Sequence, residues 1–441
     1  MSSTPVPSAR PLGLLGNVAF QRLFFAGIAS SAGFAIAEVC LVWMIFANTG
    51  SSLDVAFYGI SGIVAGIAFS LVSGTLVDRY DLRRLMVASD AGRAAMMLAL
   101  VLSNFALGFQ LGAVLLTVFG VAALSTVFNP AENIAVSVVV GEAQVADANG
   151  LTRSSRSLSL VVASSLGGVL VVTVGPVPGL ALNALTFLVS AALIYSLTLP
   201  EGRWRHAPSR PQGAVRRFLH ETADGVRWLR GHQGLLELTA SATFFNFFST
   251  IFLTFLVFFA VVALHGSALT FAVLIALYVG GGGVGSLLVG RLHSVRYAGL
   301  AWLVPYGAAS GVLLLLIAQF NEVLVAATGV LLIGVLSGFA GTSWLSAAQL
   351  IVPVEMQGRY FGIDNLGSVA ILPAAQVIGG VLIATYGVSE TFKVCGVGWV
   401  VAGIAFLFAR SLRELGVPGA GRGERGPSPV PGGTLGPGSP K

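Results

Sequence analysis

Apolar runs of about 20 residues, each closed by a few polar or charged ones, recur along the whole 441-residue chain. A helix of that length crosses the ~30 Å hydrocarbon core of a bilayer. Applying this length along the chain predicts six spans near residues 23–46, 55–77, 85–103, 112–138, 151–174 and 180–199. Six more are predicted near 236–264, 269–289, 300–320, 323–346, 361–386 and 392–409. With 55% hydrophobic and only 10% charged residues, and a mean hydropathy of +0.88, the chain cannot be a soluble enzyme, whose charged fraction is about a quarter. The reading is an all-α, multi-pass membrane protein. The first run is of full span length and lacks an Ala-x-Ala step, so it is expected to be a retained helix.

The formal charge of +6 does not point to nucleic acid, because the basic residues form short clusters between apolar runs. Topology explains them. With the N-terminus in the cytoplasm, Lys393 alone of the 24 Lys and Arg residues falls outside, which predicts a plasma-membrane protein with both termini cytoplasmic. Cys40 and Cys395 lie inside apolar runs and read as small packing residues. The expected organisation is a disordered lead (1–12), a first six-helix bundle (13–199), an arginine-rich central loop (200–233), a second bundle (234–411) and a Gly/Pro-rich tail (412–441). The halves echo one another. Gly167-Gly168-Val169-Leu170 recurs as Gly379-Gly380-Val381-Leu382, and Ser286-x-x-x-Gly290-Arg291 is a worn copy of Gly74-x-x-x-Asp78-Arg79. The common offset of about 212 residues predicts two similar bundles.

The turn after the second run carries five charges in the eleven residues from Gly74 to Arg84. Its pattern, with Gly74, Asp78, Arg79, Arg83 and Arg84 in the form G-x-x-x-D-R-x-x-x-R-R, resembles the signature of the major facilitator superfamily, the twelve-helix secondary transporters. Asn17, Arg22, Thr49-Gly50-Ser51, Asp90 with Arg93, Asn129-Pro130-Ala131 and Gly358-Arg359 resemble the branch containing enterobactin exporters and macrolide efflux proteins. The resemblance implies that Asp78 faces the eleventh helix, which starts near Arg359, and latches the cytoplasmic side in one end state. A carboxylate opposite a helix N-terminus is favoured by the unpaired amides there. The resemblance is incomplete. The arginine expected in the fourth span and the Gly-Pro step expected in the fifth are missing, and the fifth reads Ala163-Ser164-Ser165-Leu166-Gly167-Gly168.

Several polar residues fall inside apolar runs. Asp90 and Arg93, one turn apart, read as a self-neutralising pair, with coupling to the Asp78 gate as the functional alternative. Glu38 lies about 22 Å along its helix with no basic residue within a turn. A charged carboxylate there costs about 3 kcal/mol, so it is expected to be protonated, hydrated in a cavity or paired. It is the candidate for proton coupling. Glu132 is read either as an interfacial acid or as a cavity residue. Asn129, Asn246, Trp344, Gln349 and Gln376 are candidate cavity residues, and Asn183 is a further polar outlier. Eight phenylalanines between Phe244 and Phe259 are divided between lipid surface and a cavity for a bulky solute. Gly280 to Gly283 with Gly285 lacks the preceding strand and following Lys-Ser or Lys-Thr of a phosphate loop. It reads instead as a surface for close helix approach.

These features predict a secondary transporter, not an enzyme, with no cofactor and no metal. It is expected to export a hydrophobic or amphipathic small molecule by alternating access, driven by protons. The bilayer, the solute and protons are its expected partners, nucleic acid is not, and the unit is read as a monomer. An importer or lipid-flipping permease of the same fold and a non-transporting sensor remain open as alternatives.

Overall fold

A computed structural model describes residues 11–141, 144–197, 227, 229–292, 302–352 and 354–408. Residues 1–10 of the expected N-terminal lead, most of the central loop and the C-terminal tail lie outside the described residues, and the last two residues of the lead open a short turn at Pro11–Gly16. Six helices form the first half: α1 (Val18–Thr49), α2 (Ser52–Arg79), α3 (Leu82–Leu107), α4 (Leu111–Val140), α5 (Val145–Val174) and α6 (Pro176–Tyr195). In the second half, α7 (Gln233–Thr254) runs on through Leu256–Phe258 and a wide turn at Phe259–Ala263. It is followed by α8 (Ala268–Leu292), α9 (Trp302–Ala309 continuing as Ser310–Phe320) and α10 (Val323–Ile351). The last two are α11, in two pieces (Val354–Ala370 and Leu372–Tyr386), and α12 (Val388–Leu407). Eleven of these helices include a stretch long and apolar enough to cross a membrane, and the apolar helix Tyr306–Phe320 is shorter. No strand occurs among the described residues.

The first three helices start ahead of the expected spans, where polar residues cap them. Asn17 accepts hydrogen bonds from the amides of Ala19 and Phe20, and its own amide group donates to the Val139 carbonyl at the end of α4 (3.2 Å). Ser51 and Asp81 cap α2 and α3 in the same way, satisfying amides that a helix start leaves unpaired. Gly50, at φ 60°, ends α1 in the left-handed conformation that glycine adopts without strain. The break in α11 falls beside Pro373, which supplies no amide hydrogen to the helix ladder.

The two-fold repeat is legible in the backbone. The turn glycines Gly175 (φ 87°) and Gly387 (φ 82°) join α5 to α6 and α11 to α12, at the same offset as the glycine doublets. In each doublet one glycine packs inside its own bundle and the other packs against the opposite bundle. Gly167 lies on Ile36 and Val39 of α1, whereas Gly168 lies on Ala268 and Ala272 of α8. Gly379 lies on Ile251 and Phe255 of α7, whereas Gly380 lies on Ser52, Leu53 and Ala56 of α2.

The second bundle is cored by aromatic rings. Phe245, Phe252, Phe255 and Phe259 are fully buried. Phe252 meets Phe392 and Trp399, Phe259 stacks on Phe392, and Phe245 meets Tyr306 edge-on. The phenylalanine run of α7 is therefore mainly packing, and Phe244 is the ring of that run that is strongly exposed. The glycine-rich stretch of α8 packs on α10. A Cβ on Gly281 or Gly285 would strike the α10 backbone, and one on Gly334 or Gly338 would strike that of α8. Both cysteines are buried and unpaired.

Candidate functional site

The bundles meet towards one face of the molecule. We call this the distal face, where α1 ends, and the opposite one the proximal face, where α1 begins. On the distal side Ser52 donates a hydrogen bond to the Gly380 carbonyl (2.7 Å), Phe46 meets Phe258 edge-on at 4.8 Å between centroids, and Gly168 abuts Ala272. At the proximal end of α2, Gly74 has open space around it and Arg79 is exposed.

Beneath the distal contacts lies a cavity of about 360 Å³, lined entirely by the first bundle, within the size range of drug-binding pockets. Its wall is largely apolar, with Phe34, Leu41, Ile63, Met97 and Val121 among the lining residues. Its polar groups are Glu38, Tyr58, Ser125, Thr126, Asn129 and Asn183. A second cavity of about 260 Å³ lies nearer the distal seal between the bundles and shares Glu38, Tyr58 and Gly59 with the first. Glu38 is thus reachable from both, and no ion pair to it occurs among the described residues.

Two buried acids of the first bundle, Asp90 and Glu132, are neutralised within it. Asp90 is fully buried and lies 2.5 Å from the Arg93 guanidinium. That guanidinium sits between the Phe128 and Phe187 rings, 4.2 and 4.8 Å from their centroids, a stacking that stabilises a desolvated cation. Glu132 is 5% exposed and pairs with Arg156 of α5, so its carboxylate is engaged between helices. Arg22 donates to the Ser196 carbonyl, and Arg83 donates to that of Leu197 (2.9 Å) with its guanidinium over Tyr195. Two cations therefore hold the C-terminal end of α6, where carbonyls lack partners. Arg84 is exposed. The side chains of Asp78 and Arg359 lie outside the described residues.

The remaining sequence candidates are scattered. Asn129 and Gln376 line the first and second cavities respectively. Asn246 is half-buried on α7, and its backbone carbonyl accepts from Thr250. Trp344 is half-buried with its ring against Phe361. Gln349 is exposed, and its backbone carbonyl accepts from the Gln357 side chain. Sequence reasoning passed over three residues. Arg156 was findable as the deeper of the two arginines in α5, a counter-charge for Glu132 on another helix of the same bundle. Tyr58 carried no signal of its own. Asp364 is buried on α11, where the Tyr360 hydroxyl one turn away accepts from Thr239, and it was findable as an acid inside an apolar run.

Residues 23–375 match the family model described as Major Facilitator Superfamily. The chain belongs to this superfamily. It is 25% identical over 412 residues to the multidrug efflux pump Tap of Mycobacterium tuberculosis (strain ATCC 25618 / H37Rv), covering 89% of this chain and 94% of that protein. It is 26% identical over 215 residues to macrolide efflux protein A of Streptococcus pyogenes, a match covering 48% of this chain and 51% of that one. Its fold is similar to that of the nucleoside transporter NupG, with a TM-score of 0.70 at 10% identity, covering 88% of this chain and 99% of that one. It is also similar to a bacterial homologue of the human lysosomal transporter Spinster in an inward-facing, unoccupied conformation, with a TM-score of 0.68 at 15% identity, covering 91% and 98%. The protein is a multi-pass membrane transporter of this superfamily, and not an enzyme.

Proposed function

We propose that the protein exports a hydrophobic or amphipathic small molecule across the plasma membrane by alternating access, with protons as the driving ion. The observation that carries this reading is Glu38, an acid with no ion-pair partner among the described residues, set in the wall of a largely apolar cavity. A carboxylate in that position can hold either a proton or a cationic solute, and exchange between the two couples their movements. The efflux activities in the names of the multidrug and macrolide relatives support the direction.

The basic residues favour cytoplasmic termini, which makes the proximal face the cytoplasmic one and the structure an inward-facing state. The bundles then rock about the cavity. The distal contacts open while the proximal ends, including Asp78 and the start of α11, come together. In this reading Asp78, Arg79 and Arg359 belong to the cytoplasmic gate, Arg83 and Arg84 flank it, and the Asp90–Arg93 pair keeps the third helix rigid behind it.

The test is Glu38→Gln in reconstituted vesicles. The variant keeps the shape of the neutral acid but cannot release a proton. It is expected to abolish uphill export driven by a pH difference while downhill exchange continues. Wild-type uphill pumping by the variant would remove Glu38 from the coupling mechanism.

A further inference from the structure

Gln376 is one of three polar side chains of the second bundle, with Thr254 and Tyr278, that line a cavity together with Glu38. It is 5% exposed, lines the second cavity with Glu38 and Tyr58, and its carbonyl oxygen has no hydrogen-bond partner among the described residues. A buried amide oxygen without a partner carries its full desolvation penalty, so something other than packing must retain it. The neighbouring helix is shaped around it. A Cβ on Gly59 of α2 would collide with the Gln376 amide, so the glycine is what lets this side chain cross from one bundle to the other.

We propose that Gln376 is a specificity-determining residue, and that its carbonyl oxygen accepts a hydrogen bond from the substrate. The substrate class is an amphipathic organic cation that carries an N–H or O–H donor on the same rigid body. Its charge pairs with Glu38, its apolar surface fills the 360 Å³ cavity, and its donor reaches into the second cavity. This assignment rests on the reading of Glu38 as the solute-binding acid. It also gives release a physical basis. Gln376 lies on α11 between the distal contacts and the cavity, so separation of α2 from α11 withdraws it from Glu38. The donor contact is then lost when the site faces outward, and a ligand moves an equilibrium only by binding its two states differently.

Two probes separate the charge from the donor: ethidium, a rigid cation with two aromatic amines, and tetraphenylphosphonium, a cation with no donor. Binding of each is measured on the full-length protein in lipid nanodiscs. Gln376→Leu is expected to weaken ethidium about tenfold and to change tetraphenylphosphonium less than twofold. Gly59→Ala, which fills the space of the amide while leaving Gln376 in the chain, is expected to give the same selective loss and serves if the leucine variant does not fold. Equal loss of both probes, or no loss of ethidium, overturns the proposal. Failure of the wild-type protein to bind either cation overturns the substrate class. Glu38→Gln is the separate control. It should weaken both probes, and if it weakens neither, the Glu38 reading fails whatever Gln376 does.

Discussion

Gly380→Val is expected to drive the protein towards the state in which the distal face is open. A Cβ at Gly380 would lie 3.2 Å from Leu53 Cδ2 and 3.3 Å from both Ala56 Cβ and the Ser52 carbonyl. Those contacts already require the neighbours to yield by a few tenths of an ångström, and the two further methyl groups of valine have nowhere to go. Overpacking of this kind costs about 1–3 kcal/mol. The cost falls only on the state in which α2 and α11 touch, so the ratio of distal-open to distal-closed molecules should rise about 5- to 150-fold, at 1.4 kcal/mol per tenfold. Ser52→Ala removes the hydrogen bond to the Gly380 carbonyl without adding bulk. A bond of this type between membrane helices averages about 0.6 kcal/mol, which amounts to roughly a threefold shift. Spin labels on Gln110 and Tyr386, both exposed at the distal face, would report the distance distribution by pulsed dipolar spectroscopy. The long-distance population should grow in the order wild type, Ser52→Ala, Gly380→Val. An unchanged distribution in a folded Gly380→Val protein would refute the seal, as would a Ser52→Ala effect as large as that of valine.

Asp78→Asn is expected to impair transport while leaving solute binding intact, because a carboxylate at a helix terminus contributes about 0.5–2 kcal/mol to one end state. Unchanged efflux by the variant would dispose of the latch. Glu132→Gln leaves the Arg156 guanidinium without its anion. Such losses reach about 3–5 kcal/mol for fully buried pairs and should be smaller here because the arginine is 30% exposed. The melting temperature in detergent should fall and should recover when both residues are replaced by methionine. Gly285→Leu should prevent folding, since even a Cβ there meets the Val335 carbonyl and the Phe339 amide. Gly283→Leu, two residues away in open space, should be tolerated in expression and size-exclusion profiles.

The architecture was legible because the length of an apolar run is set by bilayer thickness, which no tertiary contact can override. Helix ends were less legible. Asn17, Ser51 and Asp81 start helices ahead of the apolar runs by capping them, and hydropathy does not register a cap. The repeat offset found the glycine doublets but could not say that one glycine of each faces the opposite bundle, because that depends on helix rotation. The same limit explains the site. Glu38 stood out by depth alone, and the structure sets it in a cavity wall. Glu132 and the α7 phenylalanines were open to a cavity reading, yet Glu132 is held by Arg156, and Phe245, Phe252 and Phe259 pack against rings of α9 and α12. A sequence gives the residue that must avoid lipid but not the neighbour that lets it do so.

That neighbour follows a rule in this fold, and the rule bears on how the protein can move. Beside three of the buried polar groups stands a glycine whose Cβ would collide with them: Gly27 beside Glu132 and Arg156, Gly33 beside Asn183, Gly59 beside Gln376. The ion pairs Asp90–Arg93 and Glu132–Arg156 lie within the first bundle. The contacts described between bundles are small-residue packing, with Leu53 against Gly380 and the Gln376 amide against Gly59, one serine hydrogen bond and an edge-on ring pair, and no ion pair among the described residues. Breaking a buried ion pair leaves uncompensated charge and costs about 3–5 kcal/mol, so a seal built from such pairs would hold one state too deeply to cycle. Small-residue packing and a hydrogen bond of about 0.6 kcal/mol leave a gap that a proton or a bound solute can overcome. Placing strong electrostatics inside the rigid bundle and weak contacts between bundles is what allows the halves to part without either one coming apart.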